Sequence, residues 1–184
     1  MAHVLIPLAQ GREELEAVTI IDLLRRAEVQ VTTASLDDRP ITASRGTKLI
    51  ADTTLDQVIN EKFDMVVLPG GLPGADYLDA DQRIHEILKQ TIANNNYVAA
   101  ICAAPKVLAN AGLLDNIKAT AYPGVLEALE NKNFEITGVA VQQDGQVITS
   151  RGPGTAMEFA LELIACLVGD EKRQQVEAAL QRVA

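Results

Sequence analysis

Residues 64–74 read DMVVLPGGLPG and residues 97–105 read YVAAICAAP, so each stretch is a short apolar run that ends in small residues and proline. Apolar runs of this length, bounded by turn-forming residues, are typical of strands that are buried on both faces of a parallel sheet. Between them, Asp81–Asn94 repeats its apolar residues at helical spacing. The order of strand, helix and strand predicts a βαβ unit with parallel strands.

The same alternation extends from this unit to both ends of the chain, without a linker or an internal repeat. It predicts an α/β fold in which helices sandwich a doubly wound parallel sheet, with residues 1–184 in a single domain. The predicted strands beyond the central unit are His3–Leu8, Val29–Ser35, Ala119–Ala121, Val139–Gln142 and Val147–Thr149. The predicted long helices are Glu13–Ala27, Pro105–Ala111, Ala156–Val168 and Glu171–Val183.

Smaller features fill the gaps between these elements. Short helices are predicted at Leu55–Asn60 and Gly124–Glu130, and a hairpin is predicted within Pro40–Ala51. Two segments, 54–57 and 155–158, fit the capping box that satisfies free amide donors at a helix start.

The composition excludes several classes of protein. Apolar residues make up 48% of the chain, which excludes intrinsic disorder, and no apolar run approaches the roughly 20 residues that cross a bilayer. A net charge of −9 disfavours binding to nucleic acid. The start, MAHVLIPLAQGREEL, lacks a basic region ahead of its apolar stretch and is interpreted as a first strand, so we expect a cytoplasmic protein.

Metal binding is not indicated either. The two cysteines lie far apart without a CxxC motif, and the only histidines are His3 and His85, so the spacing of zinc ligands is missing. We therefore expect no metal site and no disulfide.

The first helix carries more apolar residues than one buried face requires. They cover more than the ~100° stripe that a helix normally hides against a sheet, and they are Leu15, Val18, Ile20, Ile21, Leu23 and Leu24. Either later helices or a second subunit must cover the rest. We expect a homodimer, because this helix is predicted to lie on the outside of the sheet.

Cys102 is the candidate reactive atom, because ligands of doubly wound sheets bind beyond the carboxyl ends of the strands. It stands between a strand and a helix that Pro105 can open, as in a nucleophile elbow. Backbone amides and the positive end of the helix dipole would favour the thiolate over the thiol there. On position alone, an inert buried cysteine is an equally good interpretation. Cys166 is assigned to the core.

Three acids follow the first strand. Glu13 and Glu14 are explained by the dipole of the helix that they begin. Glu16 shares a helix face with Ile20, and burial on that face would favour its neutral form, which can donate a proton.

Glycines and arginines complete the candidate site. Gly70 and Gly71 form either a tight turn or a place where backbone N–H groups approach an oxyanion. Arg45 and Arg151 lie in two Ser-Arg-Gly tripeptides, and an arginine there either binds a small anion or is an exposed turn residue.

Four motifs together carry a resemblance to a known family. GxEExE, LPGG, AAICAAP and SRGPGT, in this order and spacing, resemble the ThiJ/PfpI superfamily, and its small single-domain branch of YajL-like proteins and protein deglycases in particular. The resemblance runs from about Val4 to Gly169. It implies a flavodoxin-like fold of the class I glutamine amidotransferase type and a homodimer.

The resemblance also implies roles for individual residues. Cys102 would be an easily oxidised nucleophile in contact with a protonated Glu16, and Gly71 and Ala103 would supply the oxyanion amides. The residues expected to attract a small anion or substrate near the cysteine are Gly70, Arg45, Ser150 and Arg151.

Two departures from the wider family bear on the activity. Ala103 stands where peptidase-like members have histidine, and Tyr122 stands where some close relatives have a second one. A Cys-His triad is therefore missing, which disfavours proteolysis and glutamine hydrolysis.

The expected activity is that of a cofactor-independent glyoxalase or deglycase. Its substrates would be methylglyoxal-type dicarbonyls or their early adducts on protein side chains, and it would release lactate-type 2-hydroxy acids. The alternative is an oxidative-stress sensor or redox-regulated chaperone that uses an oxidisable Cys102 without essential turnover.

Overall fold

The structure is a computed structural model that describes residues 1–130 and 133–182. A seven-stranded sheet forms its centre, and its strands are β1 His3–Leu8, β2 Gln30–Ser35, β5 Thr53–Thr54, β6 Met65–Leu68, β7 Tyr97–Ile101, β10 Val141–Asp144 and β11 Val147–Ser150. Their order across the sheet is β10-β11-β7-β6-β1-β2-β5. All neighbouring pairs are parallel except β10 with β11, so the predicted α/β class is confirmed, with one antiparallel edge strand added.

Helices cover both faces of the sheet. They are α1 Glu14–Arg26, α2 Leu55–Val58, α3 Gly74–Ala80, α4 Gln82–Ala93, α5 Pro105–Asn110, α6 Ala156–Val168 and α7 Asp170–Ala179. Side chains of α1, α6 and α7 form one apolar core with the sheet, and side chains of α2, α3, α4 and α5 form the other.

The strand sequences explain why both faces are covered. Successive side chains of a strand point to opposite faces. In β6, Met65 and Val67 belong to the core under α1 and α6, while Val66 and Leu68 belong to the core under α4. A strand that is apolar at every position therefore needs helices on both sides.

The predicted helices differ from the structure in three places. Residues 122–130 form turns and bends but no helix, with Gly124 at φ +92°, so the predicted helix Gly124–Glu130 is wrong. Helix α3 was not predicted, because it begins at a glycine within a proline-rich stretch and is too short to show a periodic pattern. The predicted last helix, Glu171–Val183, is too long, because the helix ends at Ala179; Val183 itself lies outside the described residues.

The predicted capping boxes are also wrong. Neither Thr54 nor Thr155 makes a side-chain cap hydrogen bond at the start of the helix that follows it. The Thr155 hydroxyl instead accepts from the N–H of Gly152 at 3.1 Å and bonds to the Ser150 hydroxyl at 2.7 Å.

The predicted hairpin is confirmed and is joined to the first helix. It consists of β3 Ile41–Thr42 and β4 Lys48–Leu49, which pair antiparallel. At its tip the N–H of Arg45 donates to the Glu14 carboxylate at 3.1 Å, and the Ser44 hydroxyl donates to Glu13 at 3.0 Å. A second small sheet pairs β8 Lys118–Ala119 with β9 Glu135–Ile136.

The apolar surface of α1 is only partly covered within one chain. Ile20 and Leu24 are fully buried in the core that α1 shares with α6, whereas Leu15 and Val18 stay about half exposed. Later helices therefore explain one side of α1 and leave the other open. Within the described residues, no helix is long and apolar enough to span a membrane.

Candidate active site around Cys102

Cys102 follows β7 directly and has a left-handed backbone conformation, with φ +63°. Its N–H donates to the carbonyl of Ser150 at 3.0 Å, and its own carbonyl accepts from the N–H of Tyr122 at 2.9 Å. Helix α5 begins three residues later, at Pro105. A non-glycine residue at positive φ is strained and is retained where the neighbouring structure enforces it, as at many functional sites.

Glu16 lies beside this cysteine, although the two are far apart in sequence. Its side chain points from the first turn of α1 into the protein and is 0% exposed. The N–H of Gly70 donates to Oε2 at 2.8 Å, while Oε1 has no aligned hydrogen-bond partner in the described chain. The thiol of Cys102 interacts with this carboxyl.

Glycine at position 70 makes this contact possible. A Cβ atom there would lie 2.6 Å from the carbonyl oxygen of Ile101, 2.7 Å from the Cβ of Cys102 and 2.8 Å from Oε2 of Glu16. Distances this short are excluded for real side chains, so any other residue would push the acid and the thiol apart.

The pKa values of the two groups are coupled. Burial raises the pKa of Glu16 to about 7. Hydrogen bonds from Cys102 and Gly70 lower this pKa but offset only part of the effect of burial. Burial, together with the charge and hydrogen bond of Glu16, raises the pKa of Cys102 to about 12. The neutral acid predicted for Glu16 is thus favoured up to about pH 7, whereas burial and the Glu16 carboxyl oppose the lowering of the thiol pKa that the amide donors predict.

The N–H groups of Gly71 and Ala103 both donate toward the Cys102 sulfur and lower its pKa. Gly71 has φ +89°, and a Cβ there would lie 2.2 Å from the nitrogen of Glu13. The two amides predicted to stabilise an oxyanion therefore flank the sulfur in the free protein. Their role with a bound substrate stays a prediction.

The four residues predicted to bind an anion are not equivalent. The N–H of Gly70 is already occupied by Glu16. Ser150 is fully buried, and its hydroxyl donates to the carbonyl of Ala140 at 2.8 Å. Both observations argue against direct anion binding, and both residues instead hold the cysteine and acid in place.

The two arginines keep exposed side chains. Arg45 lies at the tip of the β3–β4 hairpin, and Arg151 follows β11 with Nη1 donating to the carbonyl of Gly138. Their predicted anion binding stays a prediction.

Two further residues near the site are explained only by the structure. Tyr122 is 52% exposed, and its ring packs against Gly152, where a Cβ would lie 3.3 Å from the ring. Arg12 is only 1% exposed, its Nε and Nη2 have no partner in the described chain, and burial lowers its pKa to about 10. Nothing in the sequence distinguishes this arginine from an exposed one.

Among the described residues, no group of three or more His, Cys, Asp or Glu side chains is arranged to hold a metal ion. The thiol and the carboxyl that the site brings into contact can carry out proton transfer and nucleophilic addition by sulfur.

Comparisons with known proteins identify relatives that match nearly the whole chain. The chain is 42% identical over 177 residues to Protein dj-1beta of Drosophila melanogaster, covering 96% of this chain and 95% of that protein. It is 34% identical over 171 residues to a Caenorhabditis elegans protein named Glutathione-independent glyoxalase DJR-1.2, covering 93% and 90%. The crystal structure of Drosophila melanogaster DJ-1beta matches with a TM-score of 0.95 at 40% identity, covering 100% of this chain and 99% of that chain. A model of the DJ-1/PfpI family matches residues 2–166, and the chain belongs to that family.

Proposed function

We propose that the protein is a glyoxalase that uses Cys102 and needs no cofactor. It converts methylglyoxal-type dicarbonyls, free or as early adducts on protein side chains, into 2-hydroxy acids such as lactate. The observation that carries this proposal is the contact between a buried thiol and a buried carboxyl whose pKa is about 7. A relative from Caenorhabditis elegans that is named a glyoxalase supports it.

The first step is addition of sulfur to the aldehyde carbon. The sulfur–carbon bond forms, the thiol proton passes to the Glu16 carboxylate, and Glu16 then protonates the aldehyde oxygen to give a hemithioacetal. Because Glu16 titrates near pH 7, both its forms are populated at neutral pH, which suits a group that must accept and return protons.

The second step moves a hydrogen from C1 to C2 of the substrate. Glu16 removes the proton from C1 to give an enediolate and returns it to C2, and the hydroxyl proton of C1 passes to the oxygen on C2. C1 is thereby oxidised to a thioester while C2 is reduced to an alcohol, so no external oxidant or reductant is required. Water then attacks the thioester, the Cys102 sulfur leaves, and the 2-hydroxy acid is released.

Negative charge develops on the substrate oxygen when sulfur adds and when water attacks. The amides of Gly71 and Ala103 flank the sulfur, so an oxygen on the carbon bonded to that sulfur lies within reach of the same donors. We propose that they serve as the oxyanion hole.

The test compares methylglyoxal consumption and lactate formation in the wild type and in Cys102→Ser, with Cys166→Ser as a matched control. Lactate formation is expected to fall to background in the first variant and to stay at the wild-type rate in the second. Lactate formation at the wild-type rate in Cys102→Ser would overturn the proposal.

A redox sensor is the second candidate, because the same groups suit an oxidised cysteine. A sulfinate on Cys102 would have two amide donors beside it and the Glu16 carboxyl as a third. Mass spectrometry after treatment with limited peroxide distinguishes the two functions. Oxygen added selectively to Cys102, in a protein that consumes no dicarbonyl, would favour the sensor.

We further propose that the active form is a homodimer. The half-exposed Leu15 and Val18 on α1, and the exposed Ile50 after the hairpin, give each chain apolar surface that a second copy can cover. Light scattering should report a dimer for the wild type and a monomer for Val18→Glu. A wild-type monomer at working concentration would contradict this.

A further inference from the structure

A cavity lies at the carboxyl ends of β1 and β2, apart from the cysteine. Its volume is about 620 Å³, and α3 together with the start of α4 forms its outer wall. This volume is in the range of small-molecule sites, roughly 300–1,000 Å³. Its lining includes neither Cys102 nor Glu16, so the chemistry proposed above does not explain it.

An aromatic ring and two leucines line the cavity. Leu8 and Leu36, from the ends of two adjacent strands, supply aliphatic surface. Tyr77 on α3 lines the same cavity and is 50% exposed, so part of its ring is open to solvent. An open aromatic ring next to aliphatic surface is suited to stacking with a flat ligand.

The charges in the cavity wall cancel one another. Arg39 is paired with Asp37, and Arg83 is paired with Asp81 at one end and with Asp56 at the other. An anion would have to compete with these carboxylates, in a chain whose net charge is −9. A cation would face guanidinium groups that already occupy the acids. The wall therefore favours an uncharged ligand.

The polar edge of the cavity can recognise both donors and acceptors. Gln82, in the first turn of α4, brings an amide that has one carbonyl and one NH₂ group. The amide of Gln10, which also lines the cavity, donates to the carbonyl of Pro40 at 3.2 Å and accepts from the N–H of Thr42 at 2.9 Å. Gln82 is thus the amide that is left to pair with a ligand.

From these features we propose that the cavity binds an uncharged planar nitrogen heterocycle of the purine or pyridine type. The ring stacks on Tyr77 and contacts the leucines of the lining, and its donor and acceptor atoms pair with Gln82. The site is a binding site, and it is independent of turnover at Cys102.

Isothermal titration calorimetry with adenosine and nicotinamide tests this proposal, with ribose and AMP as comparisons. At least one of the two uncharged heterocycles is expected to bind saturably and ribose is not, because ribose has no aromatic ring to stack. AMP is expected to bind no more tightly than adenosine. Tyr77→Ala should weaken binding by roughly 5- to 150-fold, the usual contribution of one stacked base, while Tyr77→Phe should keep it.

Tyr122→Ala is the matched control, because Tyr122 is equally exposed at 52% but lies outside this cavity. Absence of saturable binding for both uncharged rings would overturn the proposal. An equal loss of binding in Tyr77→Ala and Tyr122→Ala would also overturn it. AMP binding more than tenfold tighter than adenosine would show that the site recognises phosphate and would refute the assignment of an uncharged ligand.

Discussion

Replacing Glu16 by glutamine is expected to make Cys102 more reactive while abolishing turnover. The substitution keeps the shape of the side chain and an oxygen for the N–H of Gly70, but it removes the charge. Since the carboxylate is one of the causes of the raised thiol pKa, the thiolate forms more readily without it.

The magnitude follows from the pKa of Glu16. With a pKa of about 7, roughly one tenth of Glu16 remains protonated at pH 8. While Glu16 is ionised, the pKa of Cys102 is about 12 and thiolate is scarce, so thiolate at pH 8 comes mainly from molecules with neutral Glu16. Glutamine is neutral in every molecule. Alkylation of Cys102 should therefore be about tenfold faster in Glu16→Gln at pH 8 and nearly equal to the wild type below pH 6.

Iodoacetamide labelling between pH 5.5 and 8.5, followed by mass spectrometry of the Cys102 peptide, measures these rates. Lactate formation in the same variant should fall by about a hundredfold or more, because the proton carrier is lost. Glu13→Gln is the matched control, since Glu13 is the neighbouring acid on the same turn and adds only the smallest contribution to the pKa of Glu16. Parallel alkylation profiles for the wild type and Glu16→Gln would refute the coupling. Unchanged lactate formation would refute the proton-carrier role.

Three further outcomes are expected. Because the pKa of Glu16 is raised, the neutral acid contributes stability that is fully present below about pH 4.5 and is lost as the pH rises through about 7. Glutamine does not titrate, so the free energy of unfolding of Glu16→Gln, measured in urea, should rise relative to that of the wild type by up to about 3 kcal/mol between pH 5 and pH 8. An unchanged difference between those pH values would contradict this. Gly70→Ala should lower the free energy of unfolding by about 1–3 kcal/mol or more, because the new Cβ would clash with the backbone. The control Gly154→Ala places its Cβ in open space and should leave the free energy of unfolding unchanged. Equal effects of the two substitutions would show that the site tolerates a Cβ at position 70. Ser150→Ala should cost about 1 kcal/mol of stability and leave KM unchanged, and a raised KM would instead support anion binding.

The fold could be predicted from the sequence because its decisive signal is local. An apolar run such as 65–68 has no polar face, so it requires cover on both sides wherever it occurs. The position of Cys102 at the carboxyl end of β7 follows from the same pattern. Elements without periodicity could not be predicted: α3 begins at Gly74 within a turn-like stretch, and the glycine-led segment after Tyr122 forms only turns.

The electrostatics of the site could not be predicted from the sequence, because they depend on contacts between distant residues. The sequence around Cys102 contains favourable local features, a helix start and backbone amides, and these alone predict a lowered pKa. The opposing causes are burial and the carboxyl of Glu16, which the fold brings into contact. The resemblance to the family implied that contact, but not the sign of its effect on the thiol.

A high thiol pKa is compatible with nucleophilic chemistry when the neighbouring group is an acid that titrates first. As the pH passes about 7, the pair of Cys102 and Glu16 loses one proton, which comes mainly from Glu16. The remaining proton can pass from sulfur to the carboxylate as the sulfur–carbon bond forms, so the nucleophile is generated only while it reacts. A permanent thiolate would instead be exposed to every oxidant that enters the site. Burial of the pair therefore keeps Cys102 as a thiol until an electrophile is bound. Gly70 is the residue that lets the acid approach the sulfur closely enough for the proton transfer.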